Sequence, residues 1–214
     1  MKINEGENGK NNMVENMKKK NLEDVKKMLI VVDMVNGFVR DGAMANQNIE
    51  HIVPEIEKLV KKFTDDDDKL VAFTNDAHSP DAIEFNKYPV HCVKGTKEAE
   101  NIDELKKYEN MALMHEKNST SAIFSKGLLE NIEKMKKLEE VVVVGCCTDI
   151  CVINLAIPLQ NYFDEKNRDI SIVVPTNAVE TYDSPNHNAE EYNNWAFKGM
   201  NQAGIKLVKK YEGM

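Results

Sequence analysis

The 214-residue sequence has no apolar run near the ~20 residues that a membrane-spanning helix needs. Its first stretch, "MKINEGENGKNNMVENMKKK", lacks the apolar core of a secretory signal. It mixes Lys with Glu and Asn, which suits an organellar presequence poorly, so the expected compartment is the cytoplasm. Basic residues fall short of acidic ones, 28 against 36, and the net charge of −8 excludes a broad nucleic-acid footprint. Cysteines number four and no two form a Cys-x-x-Cys pair, which excludes a Cys-only zinc site. In a reducing compartment those thiols are free or catalytic rather than a disulfide framework. No internal repeat is visible.

What is present is a series of short apolar runs alternating with helical patterns. Strands are expected in "MLIVVDMVNGF", "KLVAFTNDAH", "MALMHEK", "EEVVVVG", "DISIVVPT" and "GIKLVKK". Helices are expected over 49–63, 128–138, 148–163 and 188–202, with Pro158 kinking the third. Residues 79–108 have no clean period and read as a long functional loop. Residues 1–12 are expected to be disordered, 13–27 to form a polar helix, and "DDDD" at 65–68 to be a solvated helix end. Continuous apolar strands alternating with helices imply a parallel sheet covered on both faces. The expectation is a single-domain, three-layer α/β/α fold with a mostly parallel, roughly six-stranded sheet over 28–214, preceded by a polar extension over 1–27.

In such sheets ligands bind beyond the carboxyl ends of the strands. The first strand ends in Asp33, the second in Asp76 and His78, and the third in Lys117. The fourth ends in "GCCTDIC", with Cys146, Cys147 and Cys151. Singly, Asp33 reads equally as a turn residue and Lys117 as a solvated one. Cys151 differs, because it falls in the first turn of a helix with Thr148 or Asp149 as N-cap, where a thiolate is favoured. His115 and His187 read as structural, and His51 as exposed.

Four blocks together, "LIVVDMVNGF", "NDAHSPDAIEFNKYPVHCVKGT", "EKNSTSAI" and "VVVVGCCTDICV", resemble the isochorismatase-like cysteine hydrolases, and within them the nicotinamidases. The resemblance implies a catalytic triad of Asp33, Lys117 and Cys151, with Lys117 helping to keep the thiol pKa low. It implies a cis peptide between Cys146 and Cys147, and an oxyanion hole made by the backbone N–H groups of Cys147 and Cys151. It further implies one divalent metal ion on Asp76, His78, Glu84 and His91, where zinc suits the donor set and manganese or iron also fit. Phe38 and Tyr88 would line the ring pocket. The implied activity is hydrolysis of a small-molecule amide, nicotinamide above all, with no nucleic-acid or membrane partner and with a homo-oligomer left open. Two alternatives stay open: a metal-independent isochorismatase-type or other small-amide hydrolase, and a non-enzymatic module of the same fold. Val35, Gly37 and Tyr88 depart from the family's usual residues, which puts the fine shape of the pocket in question.

Overall fold

The computed structural model describes residues 20–213. The expected disorder over 1–12, and most of the helix expected over 13–27, lie outside them. Seven strands form one sheet: β1 (Lys27–Val32), β2 (Lys69–Asp76), β3 (Ala112–Lys117), β4 (Glu140–Cys146), β5 (Ser171–Pro175), β6 (Val179–Glu180) and β7 (Lys206–Val208). Their order is β3-β2-β1-β4-β5-β7, and β6 pairs with β4 beyond the end of β5. All these pairings are parallel. The sheet has one strand more than the sequence suggested. The addition, β6, is two residues long, too short to show a period.

The helices are α1 (Asn36–Val39), α2 (Gln47–Glu50), α3 (Val53–Thr64), α4 (Asp103–Lys106), α5 (Leu128–Lys134), α6 (Ile153–Glu165) and α7 (Ala189–Gln202). Among the described residues no helix is long and apolar enough to cross a membrane. The apolar strands are continuous because both faces are covered. Met28, Ile30 and Val32 of β1 pack with α5, α6 and α7, while Leu29 and Val31 pack with α1 and α3. Each such side chain contributes ~1.5–3 kcal/mol when fully buried.

Two prolines explain local departures. The helix expected over 49–63 is broken into α2 and α3. Pro54 has no N–H to offer the carbonyl of Glu50, so a helix cannot run through, and proline instead suits the first turn of α3. By contrast, Pro158 lies inside α6, which continues past it. The Asn154 carbonyl that Pro158 cannot serve accepts the Ser121 hydroxyl at 2.6 Å, which ties the helix to the segment after β3. The acid run 65–68 ends α3 as expected, with Asp65, Asp66 and Asp68 each paired to a lysine.

Because β2 and β4 flank β1, the strand order reverses at β1, and a crevice opens beyond the ends of β1 and β4. There β4 passes β1 so closely that only glycine fits. Gly145 has φ +114°, and a Cβ on it would lie 2.0 Å from the Val32 carbonyl oxygen. Gly145→Ala should therefore cost ~3 kcal/mol or more, a fall in Tm of roughly 6–12 °C for a chain of this size. Thermal unfolding followed by circular dichroism measures it, and an unchanged Tm would contradict this account of the crossing.

Candidate active site

The ends of β1 to β4 each deliver one polar side chain to this crevice. Asp33 follows β1 in the left-handed region, at φ +52°, a conformation that aspartate tolerates better than most residues. Its Oδ1 accepts the backbone N–H of Asp76 at 2.8 Å, which locks the ends of β1 and β2 together. Lys117, the last residue of β3, reaches Asp33 Oδ2 at 2.8 Å and also pairs with Asp76 Oδ1. Its Nζ lies 3.6 Å from Cys151 Sγ. Asp33, Asp76 and Cys151 each offer an atom within 4.8 Å of the others, and all are buried. The expected triad residues are thus brought together, with Asp76 as a fourth member.

The electrostatics differ from expectation in one respect. The Cys151 thiol is pushed well above its ordinary pKa, first by burial and then by Asp33 and Asp76, although Lys117 pulls the other way. The anticipated thiolate at a helix start fails for a geometric reason. The chain leaves β4 through the cis Cys146–Cys147 peptide and enters a wide turn, Thr148–Val152, in which the Val152 N–H reaches the Cys147 carbonyl at 3.1 Å. Neither Thr148 nor Asp149 caps it, and the N-cap position belongs to Cys147 with no side-chain bond. Burial therefore outweighs any help from the turn. Asp33 is pushed up to about 6 by burial and by Asp76, against the pull of Lys117. Burial also acts upward on Asp76, but Lys117, His78 and His91 outweigh it and hold that carboxyl well below the usual range. The resting site is a thiol beside two carboxylates and an ammonium.

Three of the four expected metal ligands converge. Asp76, His78 and His91 offer atoms within 4.8 Å of one another. Glu84 stands outside that cluster, in a short turn over Ile83–Asn86, but lines the same cavity as Asp76 and His91. The two imidazoles are oriented as ligands would be. His91 Nδ1 faces the Pro89 carbonyl at 2.8 Å, and a carbonyl only accepts, so that nitrogen carries the hydrogen. Asn118 Oδ1 accepts the Ser79 N–H at 3.0 Å, which fixes the amide, so His78 Nδ1 also donates to it at 3.3 Å. Both Nε2 atoms then face Asp76, at 3.3 and 3.7 Å. His78 Nε2 is buried with no hydrogen-bond partner. Two imidazole Nε2 atoms and a carboxylate converging on one point, with each ring held through its Nδ1, form a donor set that fits a divalent cation.

Phe38 and Tyr88 line the cavity with Met44, Thr120, Cys147, Ile150 and Cys151. The rings of Phe38, Phe85 and Tyr88 pack around His91. The departures at Val35 and Gly37 do not reach the cavity. Val35 is in the core, and a Cβ on Gly37 would lie 2.5 Å from Cys92 Sγ. Asn118 and Thr120 went unnoticed in the sequence. Their signal was their place directly after Lys117, at a strand end. His115 is buried against the Lys126 carbonyl and His51 stays exposed at the end of α2, both apart from the cavity.

Comparison with known proteins agrees with this fold. The isochorismatase domain profile matches residues 27–210. Nicotinamidase 1 of Arabidopsis thaliana is 32% identical over 182 residues, which cover 76% of this chain and 72% of that protein. The crystal structure of nicotinamidase PncA from Bacillus subtilis superposes with a TM-score of 0.72 at 27% identity, over 86% of this chain and 99% of the other. N-carbamoylsarcosine amidase from Thermoplasma acidophilum gives 0.70 at 27% identity, over 88% and 100%.

Proposed function

We propose, from the premise that this chain belongs to the isochorismatase family, that it hydrolyses nicotinamide to nicotinate and ammonia through a thioester on Cys151. The chain is an amidohydrolase of that family. The observation that carries the finer reading is the Lys117 ammonium set between two buried carboxylates, 3.6 Å from the Cys151 sulfur.

Asp33 takes the thiol proton as Cys151 attacks the carboxamide carbon. Lys117 stabilises the thiolate as it forms, which burial alone would forbid. The backbone N–H groups of Cys147 and Cys151 are the proposed oxyanion donors, worth ~3 kcal/mol each. The position of both residues on the cavity wall supports that role. Protonated Asp33 then hands its proton to the departing ammonia, and water, activated by Asp33, cleaves the thioester. A divalent ion, zinc by the donor set, would be held by Asp76, His78 and His91 with Glu84 completing the shell, and would supply a Lewis-acid contact that orients the ring nitrogen. Phe38 and Tyr88 flank the ring. Nicotinate so formed would feed NAD salvage, and pyrazinamide, of like shape, would be a second substrate.

The test is ammonia release from nicotinamide and pyrazinamide, with and without a chelator. Release from both is expected, lost on chelation and restored by zinc, manganese or iron. Release indifferent to the chelator would assign the metal-independent alternative. No release from either amide removes the substrate proposal. The pH profile follows from Asp33. A base with a pKa raised to about 6 is protonated and idle below that pH. kcat/KM should therefore fall about tenfold per unit below pH 6. Burial, the larger cause of the shift, persists in any loaded form. An acid limb near 4 would point to a different base.

A further inference from the structure

A second buried polar cluster lies beside the nucleophile's turn. Asp149, two residues before Cys151, binds residues of the segment after β6. Its Oδ1 accepts the Thr181 hydroxyl at 2.5 Å, and its Oδ2 lies 3.0 Å from His187 Nε2. The side chains of His187 and Asp149 are only 7% and 6% exposed. His187 Nδ1 faces the Tyr182 carbonyl at 2.9 Å. Both ring nitrogens thus face acceptors, the Asp149 carboxylate and the Tyr182 carbonyl. The ring is stacked between Tyr182 and Tyr192, with centroids 3.8 and 3.7 Å away at 14° and 22°.

The surroundings of His187 are themselves tied down. Ser184 and His187 exchange backbone bonds at 3.0 Å, and Asp183 accepts the Ala189 N–H at 2.9 Å. Asn188 caps α7 directly after the histidine. The nucleophile turn, in contrast, has no side-chain cap of its own.

We propose that His187, acting through Asp149, is a positioning residue for the nucleophile. The contact between His187 and Asp149, shared with Thr181, anchors the Thr148–Val152 turn to the strap over 181–187 and so sets where the Cys151 sulfur points. The inference rests on Cys151 as the nucleophile. It explains why a turn without a local cap can hold a reactive group: its anchor comes from a segment more than 30 residues downstream. The same strap supplies Tyr182 to the cavity mouth beside Cys147, so mouth and nucleophile share one support.

The test uses Asp149→Asn, His187→Gln and the double variant, all close in size to the original side chains. Each single change should lower kcat for carboxamide hydrolysis ~10–100-fold, the effect of a small misplacement of the reacting atom, with KM changed less than ~3-fold. The double variant should be no more than ~3-fold worse than the poorer single one, because both remove the same anchor. The second readout is the rate at which iodoacetamide alkylates Cys151, located by peptide mass spectrometry. It should change ~10-fold in each single variant without multiplying in the double. Unchanged kcat and alkylation, or losses that multiply, would overturn the proposal. If wild type hydrolyses no amide, the functional reading fails, and the alkylation comparison still decides the anchor.

Discussion

Cys151→Ala loses ammonia release by at least ~10⁴-fold, while Cys146→Ala and Cys147→Ala keep rates within ~10-fold of wild type. The contrast is large because the three thiols do unlike things. Only Cys151 has its sulfur beside the Lys117 ammonium and within 4.8 Å of the Asp33 and Asp76 carboxylates. Cys147 is asked for its backbone N–H, which alanine retains. Cys146 does use its sulfur, donating to the Asp33 carbonyl at 3.2 Å, so its removal should cost about 1 kcal/mol of stability. Initial rates on nicotinamide, with Tm as a check on folding, measure all three. A Cys151→Ala protein that turned over at the wild-type rate would end the thioester mechanism.

Lys117→Met should unfold the protein more readily as well as inactivate it. The ammonium bridges two buried carboxylates, and methionine keeps its volume but not its charge. Removing one partner of a buried ion pair costs ~3–5 kcal/mol, because the other is left uncompensated. Here two carboxylates would be left together. That corresponds to a fall in Tm of roughly 6–20 °C. A matched substitution, Lys117→Met with Asp33→Asn, should recover part of the lost Tm and none of the activity. If Lys117→Met melted with wild type, the charges would have to be compensated by something other than Lys117.

Those strand-end residues were legible in the sequence for a physical reason. A parallel sheet with both faces buried must write its strands as apolar runs, so "LIVVD" and "VVVVGCC" declare their own ends. The rule that ligands gather at those ends then pairs Asp33 with Lys117 and Cys151 although they are far apart in the chain. Less was legible where a feature depends on a neighbour's shape. β6 is too short to carry a period. The break before Pro54 was written in the sequence, but the apolar spacing across it masked it. The protonation of Cys151 was misread because a helix start lowers a thiol pKa only while the thiol is not fully buried between carboxylates. His187 carried no signal at all, since what gives it a role is the carboxylate of Asp149 and two tyrosine rings brought to it by the fold.

The placement of β1 between β2 and β4 also governs when the site can exist. Cys146 and the Asp33 carbonyl it touches are 113 residues apart in sequence. A chain growing from its N-terminus completes the Asp33 and Asp76 strand ends first, then Lys117, and the thiol comes last. Until β4 docks on the free edge of β1, those charges have no thiol to act on, and no fragment ending before Cys151 has an active site. Reactivity is therefore acquired in one late closure of long-range contacts, so the sulfur meets its base only after most of the sheet that shields it has been synthesised.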